Sequence, residues 1–255
     1  MGCSIVHFSA TGKTLKVAEA VAKGLGGVGR LIDLSRPDFK GASLSSSDKV
    51  IIACPVYGGR IPSVVAERIK AVKFDATRVV TVASYGNRAF EDALLELNDC
   101  VIAQGGVPVA SAAVIAQHAM EPSVASDRPD KTDYQNLESF GRFALKKYEQ
   151  VDVKAVQVPG NRPYRDWAKM PVTPISEGAC IHCGLCANNC PTQAIDLFDT
   201  AKTDPNKCIL CRRCVAMCRN IQEIGAIGPA NRGFRTMITP AFGKSLNDVP
   251  CVNCG

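Results

Sequence analysis

Two short runs, CIHCGLCANNCP at residues 180–191 and CILCRRCVAMCR at residues 208–219, set cysteines at relative positions 1, 4, 7 and 11. A chain that places eight thiols in two copies of one spacing has to fold each run around something that thiols bind. Of its 13 cysteines, residues 1–150 hold three and residues 151–255 hold ten, so the chain divides unevenly. Structural disulfides belong to oxidising compartments, and an excess of thiols in a chain without an export signal usually means metal. The N-terminus lacks the basic-then-apolar order of a signal peptide, and no apolar run reaches the roughly 18 residues of a membrane span. The expected location is the cytoplasm, without membrane insertion. Two CxxC pairs alone would leave zinc open. A third cysteine so close packs three thiolates around one cubic cluster, and the fourth reaches a second cluster.

The first 150 residues read differently. Short apolar, β-branched runs recur at residues 4–8, 30–34, 50–54, 78–83 and 107–115, each followed by a turn and an amphipathic segment. Leu15, Ala18, Ala22 and Leu25 keep helical spacing, as do Leu94, Leu97 and Val101, and later Leu137, Phe140, Ala144, Leu145 and Tyr148. Five buried strands alternating with at least four helices, the second crossover being the least regular, predict a doubly wound parallel α/β sheet. Its ligand site lies at the carboxyl ends of the strands.

After the first strand comes SATGKT, residues 9–14. A triphosphate loop needs a glycine five positions before Gly12, where His7 stands, so the loop is too short to wrap a β-phosphate. What remains is a tight strand-to-helix turn whose free amides and hydroxyls (Ser9, Thr11, Thr14) converge at a helix N-terminus. Such a turn suits one terminal phosphate, and it equally suits a plain hydroxyl cap. Gly24, Gly26 and Gly29 satisfy the spacing GxGxxG, yet they close a helix and precede a strand, so they mark no nicotinamide site. CPVYGGR (residues 54–60) and ASYGNR (residues 83–88) follow the third and fourth strands and put Tyr57 and Tyr85 before glycine. The two rings can sandwich a flat ligand, with Gly58, Gly59 and Gly86 admitting backbone to its edge, or can simply cap the sheet.

On these motifs residues 3–150 resemble a flavodoxin. Ser9, Thr11, Gly12 and Thr14 match that family's phosphate loop, Ser/Thr-x-Thr-Gly-x-Ser/Thr, with Lys13 a departure whose charge lies beside the phosphate or faces solvent. The resemblance implies FMN, held by that loop and by Pro55, Val56, Tyr57, Gly58 and Gly59 on one side and Ser84, Tyr85, Gly86, Asn87 and Arg88 on the other. It also implies a flavodoxin-like five-stranded sheet in the order 2-1-3-4-5.

The cysteine runs are similar to a bacterial ferredoxin with two 4Fe-4S clusters, a small α+β domain. Carried over, one cluster takes Cys180, Cys183, Cys186 and Cys218, and the other Cys208, Cys211, Cys214 and Cys190. Arg219 stands where that family repeats a proline. The whole chain resembles the fusion family that joins a flavodoxin domain to a ferredoxin domain. The expected organisation is an FMN domain at 1–150, a Pro-rich linker at 151–175 and an iron–sulfur domain at 176–228, with a tail at 229–255 that carries CVNCG.

Arg212, Arg213 and Arg219 crowd the second run, either to raise a cluster's potential or dock an acidic partner, or as a solvated basic loop. Two clusters of charge −2 each would take the formal net charge of +6 to about +2, and the FMN phosphate would bring it near neutral. Nucleic-acid binding therefore has no electrostatic support. Residues 158–174, with four prolines and the only tryptophan, Trp167, read as a stiff tether anchored by that ring. Cys3, Cys54 and Cys100 read as buried apolar residues. Clusters pass single electrons and FMN accepts one or two, so the combination reads as an electron conduit to or from redox partner proteins; oligomerisation stays open. Two other readings stand beside it. One is an FMN-dependent oxidoreductase of a small substrate, for which His118, Cys54 and Arg88 are candidates by position. The other is a redox sensor using Cys251 and Cys254.

Overall fold

Valine and isoleucine supply the centre of the sheet, because a β-branched run has few competing rotamers and packs well on a pleated surface. The computed structural model describes residues 2–166, 185–196, 202–220, 228–230 and 237–239, and the chain forms two compact units, Met1–Trp167 and Ala168–Gly255.

In the first unit the chain runs β1 (Cys3–His7), α1 (Lys13–Gly24), β2 (Val28–Asp33), β3 (Ala42–Leu44) and β4 (Val50–Pro55). It continues through α2 (Ser63–Ile69), β5 (Val72–Phe74), β6 (Arg78–Tyr85), α3 (Ala93–Ala103), β7 (Val107–Ile115) and α4 (Lys131–Tyr148). Five strands pair in parallel in the order β2-β1-β4-β6-β7, the expected 2-1-3-4-5 order of the principal strands. β1, β4 and β6 are buried along nearly their whole length, whereas the first four residues of β2 are exposed, as befits an edge. The strand order reverses between β1 and β4, and the loops that follow β1, β4 and β6 all leave the carboxyl edge beside that crevice.

Helices α1 and α4 cover one face. Val17 and Val21 of α1, with Leu25 just past its end, pack with Ile5, Ile51, Val80 and Val82 of the sheet and with Leu137 and Ala144 of α4. α3 packs on β6 and β7 and against α2. The second crossover, flagged as the least regular, holds no helix: β3 pairs in parallel with β5 there. Residues 35–49 contain Pro37, five serines and a left-handed Gly41 (φ 117°), which leaves no helical stripe to bury. Gly26 and Gly27, both at positive φ, close α1 before β2, in line with the reading of that Gly-rich match as a helix end.

The second unit contains α5 (Leu185–Asn188), an antiparallel pair β8 (Ile195–Asp196) and β9 (Lys202–Thr203), α6 (Arg213–Asn220), and a second antiparallel pair, β10 (Gly228–Ala230) and β11 (Met237–Thr239). The last pair falls within and beside the stretch expected to be a tail. The expectations for Trp167, Cys180, Cys183, Cys251 and Cys254, and for the side chains of Cys218 and Arg219, lie outside the described residues. Among the described residues no helix is long and apolar enough to cross a membrane.

Candidate functional site

The turn after β1 opens α1 from a left-handed Gly12 (φ 83°). A helix's first N–H groups have no partner in their own helix. Ser9 Oγ accepts that of Leu15 at 3.0 Å, and no side chain caps the helix from Gly12 itself. Thr14 is buried, and its hydroxyl meets that of Ser84 at 2.7 Å. So the three hydroxyls of the turn are not equivalent. Ser9 braces the turn, and Thr14 ties it to the end of β6. Thr11, Gly12 and Lys13 form its half-buried lip. The amides that follow Gly12 are the donors that suit a phosphate.

The two ring loops are joined to each other. Val56 N–H donates to the Ser84 carbonyl at 2.8 Å, and Tyr57 and Arg60 exchange backbone hydrogen bonds of 2.9 and 3.2 Å around a tight turn. Gly58 (φ 60°) and Gly59 (φ 84°) make that turn, and a β-carbon on Gly59 would fall 1.7 Å from Glu91 Oε2. Tyr57 and Tyr85 are both half-buried at the rim, and Tyr85 packs edge-on against Phe90 with ring centroids 5.6 Å apart. His118 lies against Gly86, where a β-carbon would fall 2.2 Å from its ring. Its Nδ1 accepts from the Met120 and Glu121 amides at 3.2 and 2.9 Å. Arg88 is ion-paired with Glu91 at 3.0 Å. Cys54 is fully buried in β4, and burial, then Cys100 and Glu96 nearby, pushes its thiol well up, so it is no nucleophile.

Sequence reasoning missed a carboxylate face. Asp92, Glu96 and Asp99 recur at helical spacing along α3, and residues 161–165 of the Pro-rich segment are fastened to it. Glu96 grips the Arg60 guanidinium at 2.6 and 2.7 Å and also accepts the Ile61 N–H at 3.0 Å. Asp92 accepts the backbone N–H groups of Asn161 and Arg165, both at 2.8 Å. Asp99 takes a bidentate Arg162 at 2.8 and 2.5 Å, together with the Tyr164 hydroxyl. The Arg165 amide, ahead of that of Asn161, holds the Asp92 carboxyl below its ordinary range, and Arg162 does the same for Asp99. A depressed carboxyl stabilises the fold fully above its unfolded value of about 3.9 and loses that contribution as pH falls through the lowered folded value. The Asn161 and Arg165 amide chemical shifts are therefore expected to hold steady down to about pH 4 and to move only below it. A midpoint at or above the ordinary carboxylate value would contradict this.

In the second unit Cys186, Cys190, Cys208, Cys211 and Cys214 line one cavity of about 40 Å³, with Arg212 and Arg213 in its wall. Leu210 (φ 53°) and Arg212 (φ 59°) are left-handed, so the backbone folds back on either side of Cys211 and turns three thiols inward. Burial, with Cys214, Cys190 and Cys208 adding to it, pushes Cys211 up to about 12, and Cys214 rises to about 11 for the same reason. Among the described residues no three side chains close on a single-ion site. The metal-ligating side chains that line this space are all cysteine thiols. That donor set fits a polynuclear cluster, whose iron would displace the thiol protons. Arg212 is buried, 9% exposed, and so is no solvated loop residue.

Residues 4–104 match the flavodoxin domain family, and residues 179–220 match the 4Fe-4S dicluster domain family. The chain joins a flavodoxin domain to a 4Fe-4S dicluster domain. A flavodoxin domain implies FMN and a dicluster domain implies iron–sulfur clusters. The chain is 48% identical over 60 residues to the NADP-reducing hydrogenase subunit HndD of Solidesulfovibrio fructosivorans, covering 24% of this chain and 10% of that one. It is 43% identical over 53 residues to the NADPH-Fe(3+) oxidoreductase subunit alpha of Geobacter sulfurreducens, covering 21% and 6%. The chain thus spans a tenth or less of these two curated relatives. Among solved structures, a flavodoxin of Streptococcus pneumoniae TIGR4 aligns with a TM-score of 0.38 at 20% identity, covering 56% of this chain and 97% of that one.

Proposed function

We propose that the chain is an electron-transfer protein that carries one FMN and two 4Fe-4S clusters and exchanges electrons with redox partner proteins. The single observation that carries this reading is the cavity shared by Cys190 of one run and Cys208, Cys211 and Cys214 of the other, in a chain that also has a flavodoxin domain. Those four would hold one cluster, and Cys180, Cys183, Cys186 and Cys218 the other. When bound, the clusters move single electrons and FMN accepts one or two, which lets the chain couple carriers of different electron number.

The flavodoxin domain's own residues do the rest. The first amides of α1 and the Thr11–Lys13 lip offer donors and a positive charge to the FMN phosphate. The loops of Tyr57 and Tyr85 bracket its ring and exclude water from either face. Gly58, Gly59 and Gly86 bring backbone close to the ring edge. The relatives named above are subunits of oxidoreductases, which supports an exchange with partner proteins. For the alternative, turnover of a small substrate on the flavin, one of the three positional candidates, Cys54, is a fully buried thiol. No observation favours it.

Anaerobic purification with flavin, iron and sulfide analysis tests the assignment directly. About eight irons and one FMN per chain are expected from two four-iron clusters and one flavin site. Colourless or zinc-only protein would end the reading. Steady reduction of a small molecule by the dithionite-reduced chain, with no partner protein, would replace the carrier with an enzyme.

A further inference from the structure

Residues 156–165 of the Pro-rich segment, expected to be a linker, are stitched to the flavodoxin domain. Val156 N–H donates to the Pro108 carbonyl at 2.8 Å. Gly160, at φ 146°, lies so close to α3 that a β-carbon would fall 2.7 Å from that of Leu95. Asn161, Arg162, Tyr164 and Arg165 then hold Asp92 and Asp99, and the Arg60 guanidinium donates to the Arg165 carbonyl at 2.8 Å while stacking on the Tyr164 ring at 4.7 Å.

The far side of this network is the flavin edge. Asp92 uses its own N–H to donate to the Gly59 carbonyl at 3.1 Å while its carboxylate holds the segment, so one residue joins both. Arg165 pairs with Glu91, which pairs with Arg88 of the second loop at 3.0 Å. Glu91 (φ 43°) is left-handed without being glycine, as is Asn87 (φ 63°), a residue type that tolerates that region. A glutamate held there persists only where its surroundings over-determine it. The fastening of Glu91 by Arg165 and of Gly59 by Asp92 supplies that over-determination.

We propose that residues 156–165 form a strap that fixes the shape of both ring loops, with Asp92 as the positioning residue that couples strap to loop. The inference rests on the FMN reading above. A merely structural strap would stabilise the domain and leave the flavin indifferent; a positioning strap alters how the site discriminates between oxidised and reduced FMN.

The test uses the full-length chain and FMN itself, with Arg162→Gln, which cuts only the exposed outer fastening to Asp99, and Asp92→Asn, which weakens the inner one. Asp92→Asn is expected to raise the dissociation constant for oxidised FMN about tenfold, the loss of a charge-assisted hydrogen bond, and Arg162→Gln about threefold. In both, the ratio of dissociation constants for oxidised and reduced FMN changes by at least about twofold, while iron content stays at the parent value. Arg162→Lys, which keeps the ion pair, retains parent affinity. Variants that melt earlier yet keep both the FMN affinity and that ratio would reduce the strap to scaffolding and overturn the proposal. If Asp92→Asn fails to fold, Arg162→Gln decides alone, since its side chain is 60% exposed. A parent chain that binds no FMN would instead remove the flavin reading itself.

Discussion

Gly141→Val is expected to destabilise the flavodoxin domain by roughly 3 kcal/mol and to weaken FMN binding at the same time. Gly141 sits inside the 18-residue α4, where glycine costs about 1 kcal/mol relative to alanine. Helix propensity alone therefore favours replacing it. Packing forbids this, because a β-carbon there would fall 2.1 Å from the Val21 carbonyl oxygen and 2.9 Å from Gly24 Cα. Gly24 mirrors it, with a β-carbon 2.1 Å from the Glu138 carbonyl oxygen. Both obstacles are backbone, which cannot swing aside as a long side chain does, so α1 and α4 would have to part. Overpacking of this kind costs typically about 1–3 kcal/mol, enough to outweigh the propensity gain even for alanine. The cost is shared with the site, since the helix that moves begins at Gly12. Chemical unfolding followed by circular dichroism, with FMN affinity measured alongside, checks the argument. Adding Gly24→Ala to Gly141→Ala should cost less than the sum of the two, because helices already separated meet no second clash. A Gly141→Ala chain as stable as the parent would remove the close approach as the reason for this glycine.

The core of this domain was legible because its signal is local. A run such as VIIACP has one way to bury both faces, and SATGKT at the end of such a run has one edge of the sheet to occupy. Roles within the loop were less legible. Thr14 looks like a phosphate ligand by spacing, and its hydroxyl also reaches Ser84, a partner 70 positions away that spacing cannot reveal. The strap was illegible for the same reason on a larger scale. VPGNRPYRD has the prolines and charges of a solvated tether, and its carboxylate partners lie 63 to 73 residues earlier. Asp92, Glu96 and Asp99 at helical spacing were the one available sign, and a charged stripe on a helix is usually just its wet face. In the second unit the cysteine count announced a cluster module, but not that Leu210 and Arg212 would adopt left-handed backbone to turn the thiols inward.

That inward turn leads to the prediction with the largest effect on composition. The cavity presents five sulfurs, one more than a four-iron cluster takes from its protein, so one of them serves elsewhere. Cys208, Cys211 and Cys214 are three apart on one folded-back run, and Cys190 stands beyond the end of α5. Cys186, inside α5, is the fifth, and the proposed ligand sets group it with Cys180 and Cys183. Iron content then separates the two sets. Each of Cys190→Ser, Cys211→Ser and Cys186→Ser should drop the chain from about eight irons to about four. Combining Cys190→Ser with Cys211→Ser should cost nothing further, because both substitutions disable the same cluster. Combining Cys186→Ser with Cys211→Ser should leave almost no iron, because one falls on each. If the Cys190→Ser, Cys211→Ser chain were the iron-free one and the Cys186→Ser, Cys211→Ser chain kept four, the ligand exchange would run the other way, with each cysteine run closing its cluster differently from the proposal.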